Sequence, residues 1–169
     1  MTAKEFYTYL YKLLEKVTPL VVDCGGLCDG ACCKGDGESG MYLFPCEEVM
    51  YDGTEDWLEI YDSEFIFKDK PVKIAICRGV CDRKKRPLSC RIFPLFENEE
   101  GELAADIRAN GLCPLVTAKI PFDEYNPEFI KRVKKVFKIL NNNNITRDYI
   151  EETKELIKEY EELNDIFKQ

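Results

Sequence analysis

The chain has 169 residues, 45% of them hydrophobic, enough for one domain that buries roughly two-thirds of its surface without depending on covalent staples. Its 24 basic and 32 acidic residues give a formal charge of -8. An acidic surface is repelled by phosphates, which argues against nucleic acid or an anionic membrane as partner. No apolar run approaches the roughly 20 residues of a spanning helix. Glu5, Lys12 and Glu15 interrupt any signal-peptide-like segment, so the expected address is the cytoplasm.

In chain order, Phe6, Leu10, Leu13, Leu14 and Val17 share one face of a 3.6-residue period. They predict an amphipathic helix over residues 3–17, closed by Thr18-Pro19 because a residue before proline avoids the helical region. Residues 23–40 carry Gly25, Gly26, Gly30, Gly35, Gly37 and Gly40, a density that predicts no regular structure and a chain able to wrap back on itself. Tyr42-Leu43-Phe44 reads as a short strand, and Pro45 as the start of a helical turn with Glu47 and Glu48 at its positive end. Residues 55–61 read as a short amphipathic turn with Trp57, Leu58 and Tyr61 apolar and Trp57 in the core. Phe65-Ile66-Phe67 and Val72–Ile76 form an expected β-hairpin turned at Lys68–Pro71, and Ile92–Glu97 with Leu103–Ile107 a second, turned at Asn98–Gly101.

Asn126-Pro127-Glu128 is a helix start: asparagine caps, proline occupies the first helical position and glutamate faces the dipole. Ile130, Val133, Val136, Phe137 and Leu140 supply its buried face. Asn141–Asn144 is a polar stop, after which Thr146 is expected to cap a longer helix reaching about Phe167. Its stripe of Thr153, Leu156, Tyr160, Leu163 and Phe167 favours pairing with the preceding helix over dimerisation, because it spans barely three heptads. Glu151, Glu152, Glu155, Glu159, Glu161 and Glu162 form its solvated face. The expected fold is therefore α+β: an irregular, cysteine-rich, metal-centred core with small β-hairpins, flanked by an N-terminal helix and a C-terminal helical pair. Residues 1–125 would form the metal-binding domain and 126–169 a helical hairpin packed on it.

The chemistry lies in the nine cysteines and the absence of histidine. Without histidine, Cys-His catalysis and mixed Cys/His zinc sites are excluded. Reducing compartments disfavour structural disulfides, and dense cysteines there point to metal or redox chemistry. Cys24, Cys28, Cys32 and Cys33 fall within ten residues; Cys77, Cys81, Cys90 and Cys113 form a second group. The bland alternative, thiols as small buried hydrophobes, does not concentrate them in glycine- and arginine-rich loops. These eight are the expected metal ligands. Because Cys32 and Cys33 are adjacent and diverge, they are expected to serve two metals, or one to chelate and one to bridge, in interleaved sites drawing thiolates from both halves of the sequence. Thiolates around divalent ions leave a negative site, and the basic run Arg78–Arg91, with Asp82 its one acid, can answer it. Arg86 and Arg91, flanking Cys90, are the residues expected to orient and neutralise the sulfurs. Lys84 and Lys85 fit a solvated turn, and the net charge counts against reading the run as a nucleic-acid patch. Cys46, alone beside Pro45, is expected not to be a ligand.

The run Arg86-Pro87-Leu88-Ser89-Cys90-Arg91-Ile92-Phe93-Pro94 resembles the R-P-x-x-C-R-x-F-P signature of the YkgJ-type cysteine-cluster proteins. Cys24, Cys28, Cys32 and Cys33 resemble that family's leading cluster, and Cys77, Cys81 and Cys113 its remaining cysteines. The resemblance spans roughly residues 20–115 and implies a zinc- or iron-chelating domain. Cys81 is followed by Asp82-Arg83-Lys84-Lys85, where family members often carry a tyrosine-containing segment. No G-x-G-x-x-G or P-loop is present. Zinc and iron both accept all-cysteine sites, so three functions are open: a structural metal holding a module for a protein partner, an iron–sulfur redox or electron-transfer centre, and a metal-dependent enzyme. The sequence assigns no catalytic residue.

Overall fold

The computed structural model of the chain describes residues 1–34, 39–79 and 81–167; Gly35 and Gly37 lie outside them, as does the side chain of Phe167. Helix α1 (Ala3–Leu14) opens with a capping box in which Thr2 and Glu5 satisfy each other's backbone N–H, a device that removes two orphan donors. It ends three residues before the expected Val17. Tyr7 and Tyr11 share its buried face with Phe6, Leu10 and Leu14, while Leu13 and Val17 are only partly covered. The tyrosines can be buried because their hydroxyls find partners, Tyr7 on the Pro45 carbonyl at 2.7 Å and Tyr11 on the Glu47 carboxylate at 2.6 Å.

The glycine-rich stretch is not wholly irregular. Cys24–Leu27 form one helical turn, α2, capped by the Asp23 side chain, and Ala31–Cys33 form a 3-10 turn entered through Gly30 at φ 63°. Local i to i+4 and i to i+3 hydrogen bonds override the glycines there. Met41–Tyr42 are a two-residue strand, β1, and Glu47–Met50 a 3-10 turn. Residues 55–61 are not an amphipathic turn: from Leu58 they belong to β2 (Leu58–Phe67), which pairs with β3 (Lys70–Cys77) on either side of an irregularity between Asp62 and Ile66. Cross-strand pairing and packing of Leu58 and Ile60 with Leu43 and Ala75 outweigh the local pattern. The hairpin turns at Lys68 and Asp69, both at positive φ, the backbone that two-residue hairpin loops require. Its sheet order is β1-β3-β2.

The second hairpin is shorter than its sequence suggests. Leu88–Ile92 form a helix, α3, so only β4 (Leu95–Glu97) pairs with β5 (Leu103–Ala105). A short helix, α4 (Pro114–Thr117), follows Cys113. Helix α5 (Pro127–Asn141) starts as expected, with Asn126 accepting from the Glu128 N–H and Pro127 at the first position. Helix α6 (Asn144–Phe167) begins two residues before the expected Thr146 cap. The Asn143 side chain accepts from the Ile145 and Thr146 N–H groups, while the Thr146 hydroxyl donates to the Leu140 carbonyl.

One apolar core joins the two ends of the chain. Phe6, Leu10 and Leu14 pack with Phe44, Leu88, Ile92, Leu95, Phe129, Val133, Phe137, Leu140, Tyr149 and Ile150. The stripe on α6 is buried only at its start: Thr153 is covered, but Tyr160 and Leu163 are exposed. The six glutamates of α6 face solvent as expected. No helix among the described residues is long and apolar enough to cross a membrane.

Candidate metal centre

All nine cysteines carry free thiols. The eight expected ligands are spread over several elements and the loops between them, with Cys81 in the loop before α3. Cys24 opens α2 and Cys28 ends it; Cys32 and Cys33 lie in the 3-10 turn; Cys77 is the last residue of β3; Cys90 is in α3; Cys113 immediately precedes α4. Two loops are folded against each other to bring these together. Gly79, at φ 87°, lies so close to Cys33 that a side chain there would begin 3.6 Å from the Cys33 carbonyl oxygen. Arg83 reaches across to Asp23 at 2.8 Å.

The result is a pair of adjoining cavities beside the apolar core. The first, of about 240 Å³, is lined by Cys24, Cys28, Cys32, Cys90 and Cys113 together with Arg83, Arg86 and Arg91, under an apolar mouth that includes Leu20 and Leu115. The second, of about 110 Å³, is lined by Cys32, Cys33, Cys77, Cys81 and Cys90, with Arg86 and Trp57. Cys32, Cys90, Arg86 and Phe93 border both. Every expected ligand lines at least one cavity. Cys46 lines neither; it is exposed and sits in left-handed backbone at φ 64°. Among the described residues, no three Cys, Asp or Glu side chains form a group that could grip an ion as they stand. The sulfurs line the walls of the two cavities.

The electrostatics fit a set of interacting thiols. The Cys32 and Cys33 sulfurs are 3.9 Å apart. A hydrogen bond from its neighbour holds Cys32 below the usual thiol range and pushes Cys33 above it. Burial pushes the Cys24 and Cys90 thiols up. The hydrogen bond with Cys33 and burial push Cys81 up, against the pull of the Arg86 guanidinium. Arg86 donates to the Cys81 sulfur from Nε at 3.4 Å and Nη2 at 3.2 Å. Arg91 acts differently. Its guanidinium donates to the carbonyls of Arg83, Lys84 and Arg86 and stacks on the Tyr11 ring at 4.2 Å. Arg91 therefore shapes the loop that carries Cys81 and Arg86 rather than meeting a sulfur itself.

One residue escaped sequence reasoning. Glu47 stands in the first turn of the Glu47–Met50 3-10 helix, where it was expected, but it is fully buried. Its carboxylate accepts from the Tyr11 hydroxyl at 2.6 Å and from the backbone N–H groups of Leu88 at 2.6 Å and Phe44 at 2.9 Å. Tyr11 in turn meets Tyr51 at 3.0 Å, and Tyr51 donates to the Lys85 carbonyl. Burial pushes the Glu47 carboxyl up. This network pins α1, the turn after β1, and the start of α3 beside Cys90. No local pattern marks it, because its partners lie 36 and 41 residues away.

No protein-family model matches the chain, no curated protein matches it, and no solved structure matches its fold.

Proposed function

We propose that this is a metal-binding protein whose cysteine cluster chelates zinc or iron, with the metal serving chiefly to hold a surface for a protein partner. The observation that carries the reading is that the eight cysteines singled out by spacing, and not Cys46, line two adjoining cavities. The donor set is all sulfur, which suits zinc and iron and not magnesium or calcium. Bound as thiolates, these residues would hold the metal while Arg86 steadies Cys81 and Arg91 and Glu47 fix the loop behind it. Closed four-thiolate sites leave no open position for chemistry, which is why a structural role is preferred. The resemblance to YkgJ-type proteins agrees with this reading, as does a reducing, cytoplasmic setting in which nine thiols stay unpaired.

The second reading is an iron–sulfur redox or electron-transfer centre. It is favoured by the five thiols, Cys24, Cys28, Cys32, Cys90 and Cys113, that line the first cavity, one more than a single tetrahedral zinc takes. Elemental and acid-labile sulfide analysis separates the two: zinc without sulfide supports the structural reading, iron with matching sulfide the redox one. Protein folded at full yield and free of metal under anaerobic purification overturns both.

A further inference from the structure

We propose that the second half of α6 and the groove beside it form a docking site for a basic amphipathic helix of a protein partner. This rests on the protein-partner half of the reading above and not on which metal the cysteines hold. A groove of about 470 Å³ is lined by Leu156, Tyr160 and Leu163 of α6 and by Met41, Phe93 and Leu112 from the cysteine-bearing part of the chain. Tyr160, Leu163 and Leu112 are 42, 55 and 48% exposed, so the groove is apolar surface that the chain leaves uncovered. Leu156, Tyr160 and Leu163 stand four and three residues apart and form one stripe along the helix. Contiguous exposed apolar surface of this kind marks a site of interaction. Met41, Phe93 and Leu112 also line the second thiol-bearing cavity, so the groove and the cysteine cluster share a wall.

Charge says what covers the stripe. Glu152, Glu155, Glu159 and Glu162 recur three, four and three residues apart, so they form a second row on α6 beside the apolar one, and all four are exposed. Glu159 lines the groove itself. The lysines of the same stretch are engaged elsewhere, Lys154 with Glu151 at 2.8 Å and Lys158 with Glu99 at 3.0 Å. Arg108, the cation in the groove lining, is held by Asp106 at 2.7 Å. An apolar stripe beside a row of carboxylates complements a helix of the reverse pattern: apolar residues at three- and four-residue spacing, with lysine or arginine along one flank. A second copy of α6 would bring the same acids and be repelled, and an anionic membrane surface would be repelled likewise.

The test is fluorescence anisotropy on the full chain, with metal content measured on the same sample. The probe is a labelled helical peptide of about four turns, with leucines at three- and four-residue spacing and lysines along one flank. Saturable binding is expected. It should weaken about tenfold or more in Leu163→Ser, which removes a leucine from the contact, and in the double variant Glu155→Lys with Glu159→Lys. Ile145→Ser, 49% exposed at the other end of α6, should bind as the wild type does. These are exposed positions whose substitution leaves the fold intact, which circular dichroism checks. Equal binding of a scrambled peptide of the same composition, or of a glutamate-flanked one, would overturn the proposal. So would wild-type self-association, or binding to phosphatidylcholine vesicles, that Leu163→Ser abolishes, since either gives the groove another occupant. No peptide binding by metal-loaded protein overturns this inference alone; specific binding by folded, metal-free protein upholds it while the metal reading falls.

Discussion

Replacing Arg86 by alanine removes the only cation hydrogen-bonded to a cysteine sulfur among the described residues. Two N–H groups are lost, at 3.2 and 3.4 Å from Cys81 Sγ. Hydrogen bonds to a charged acceptor contribute about 1.5–3 kcal/mol each when buried. Here the bonds are long and share one acceptor, so about 2 kcal/mol for the pair is the appropriate scale. That corresponds to a roughly 30-fold loss of metal retention, inside the about 10- to 100-fold cost of removing an outer partner of a metal ligand. Arg86→Lys restores the charge without the two-pronged donor and should recover less than half of the loss in free energy. The assay is competition for zinc against a chromophoric chelator, with circular dichroism to confirm that α1, α5 and α6 are intact. Unchanged retention in Arg86→Ala, with the helices in place, would refute the reasoning.

Other perturbations have directions fixed by the same contacts. Glu47→Ala leaves three donors without their acceptor and should cost about 3–5 kcal/mol in urea unfolding, whereas an exposed acid of α6 such as Glu152 should tolerate alanine within about 0.5 kcal/mol. Because burial raises the folded-state value of the Glu47 carboxyl, its contribution is full at low pH and lost as pH rises through that raised value; Glu47→Gln should flatten this part of the stability–pH curve. Gly40→Ala places a carbon 2.5 Å from the Ala75 carbonyl oxygen, with Ile74 and Ile76 at 2.9 and 3.0 Å, and should lower the midpoint by about 1–3 kcal/mol of stability. Cys28→Ser and Cys90→Ser should become protease-sensitive while Cys46→Ser does not, as limited proteolysis would show.

The parts of the molecule legible in sequence are those governed by local rules. Asn126-Pro127-Glu128 announces α5, and the run Lys68–Pro71 announces the turn of the first hairpin, because capping and turn chemistry act within a few residues. The eight cysteines could be separated from Cys46 because their spacing is itself local. What could not be read depends on partners distant in the chain. Leu58 and Ile60 become strand only because β3 lies beside them, and α3 takes Ile92 from the start of the expected strand while the Glu47 carboxylate accepts from the Leu88 N–H. The apolar core is built from large side chains of α1, α5 and α6, and the cysteine-lined cavities lie beside it. Arg91 was assigned by its position next to Cys90, and its fork instead finds three carbonyls of the preceding loop.

The most direct test of the account is a paired measurement on protein purified without oxygen: metal content by elemental analysis, and the number of thiols alkylated before and after chelator. The account predicts bound zinc or iron, ready labelling of Cys46, and protection of the other eight cysteines until the metal is withdrawn. A folded, metal-free protein with all nine thiols equally reactive would contradict it.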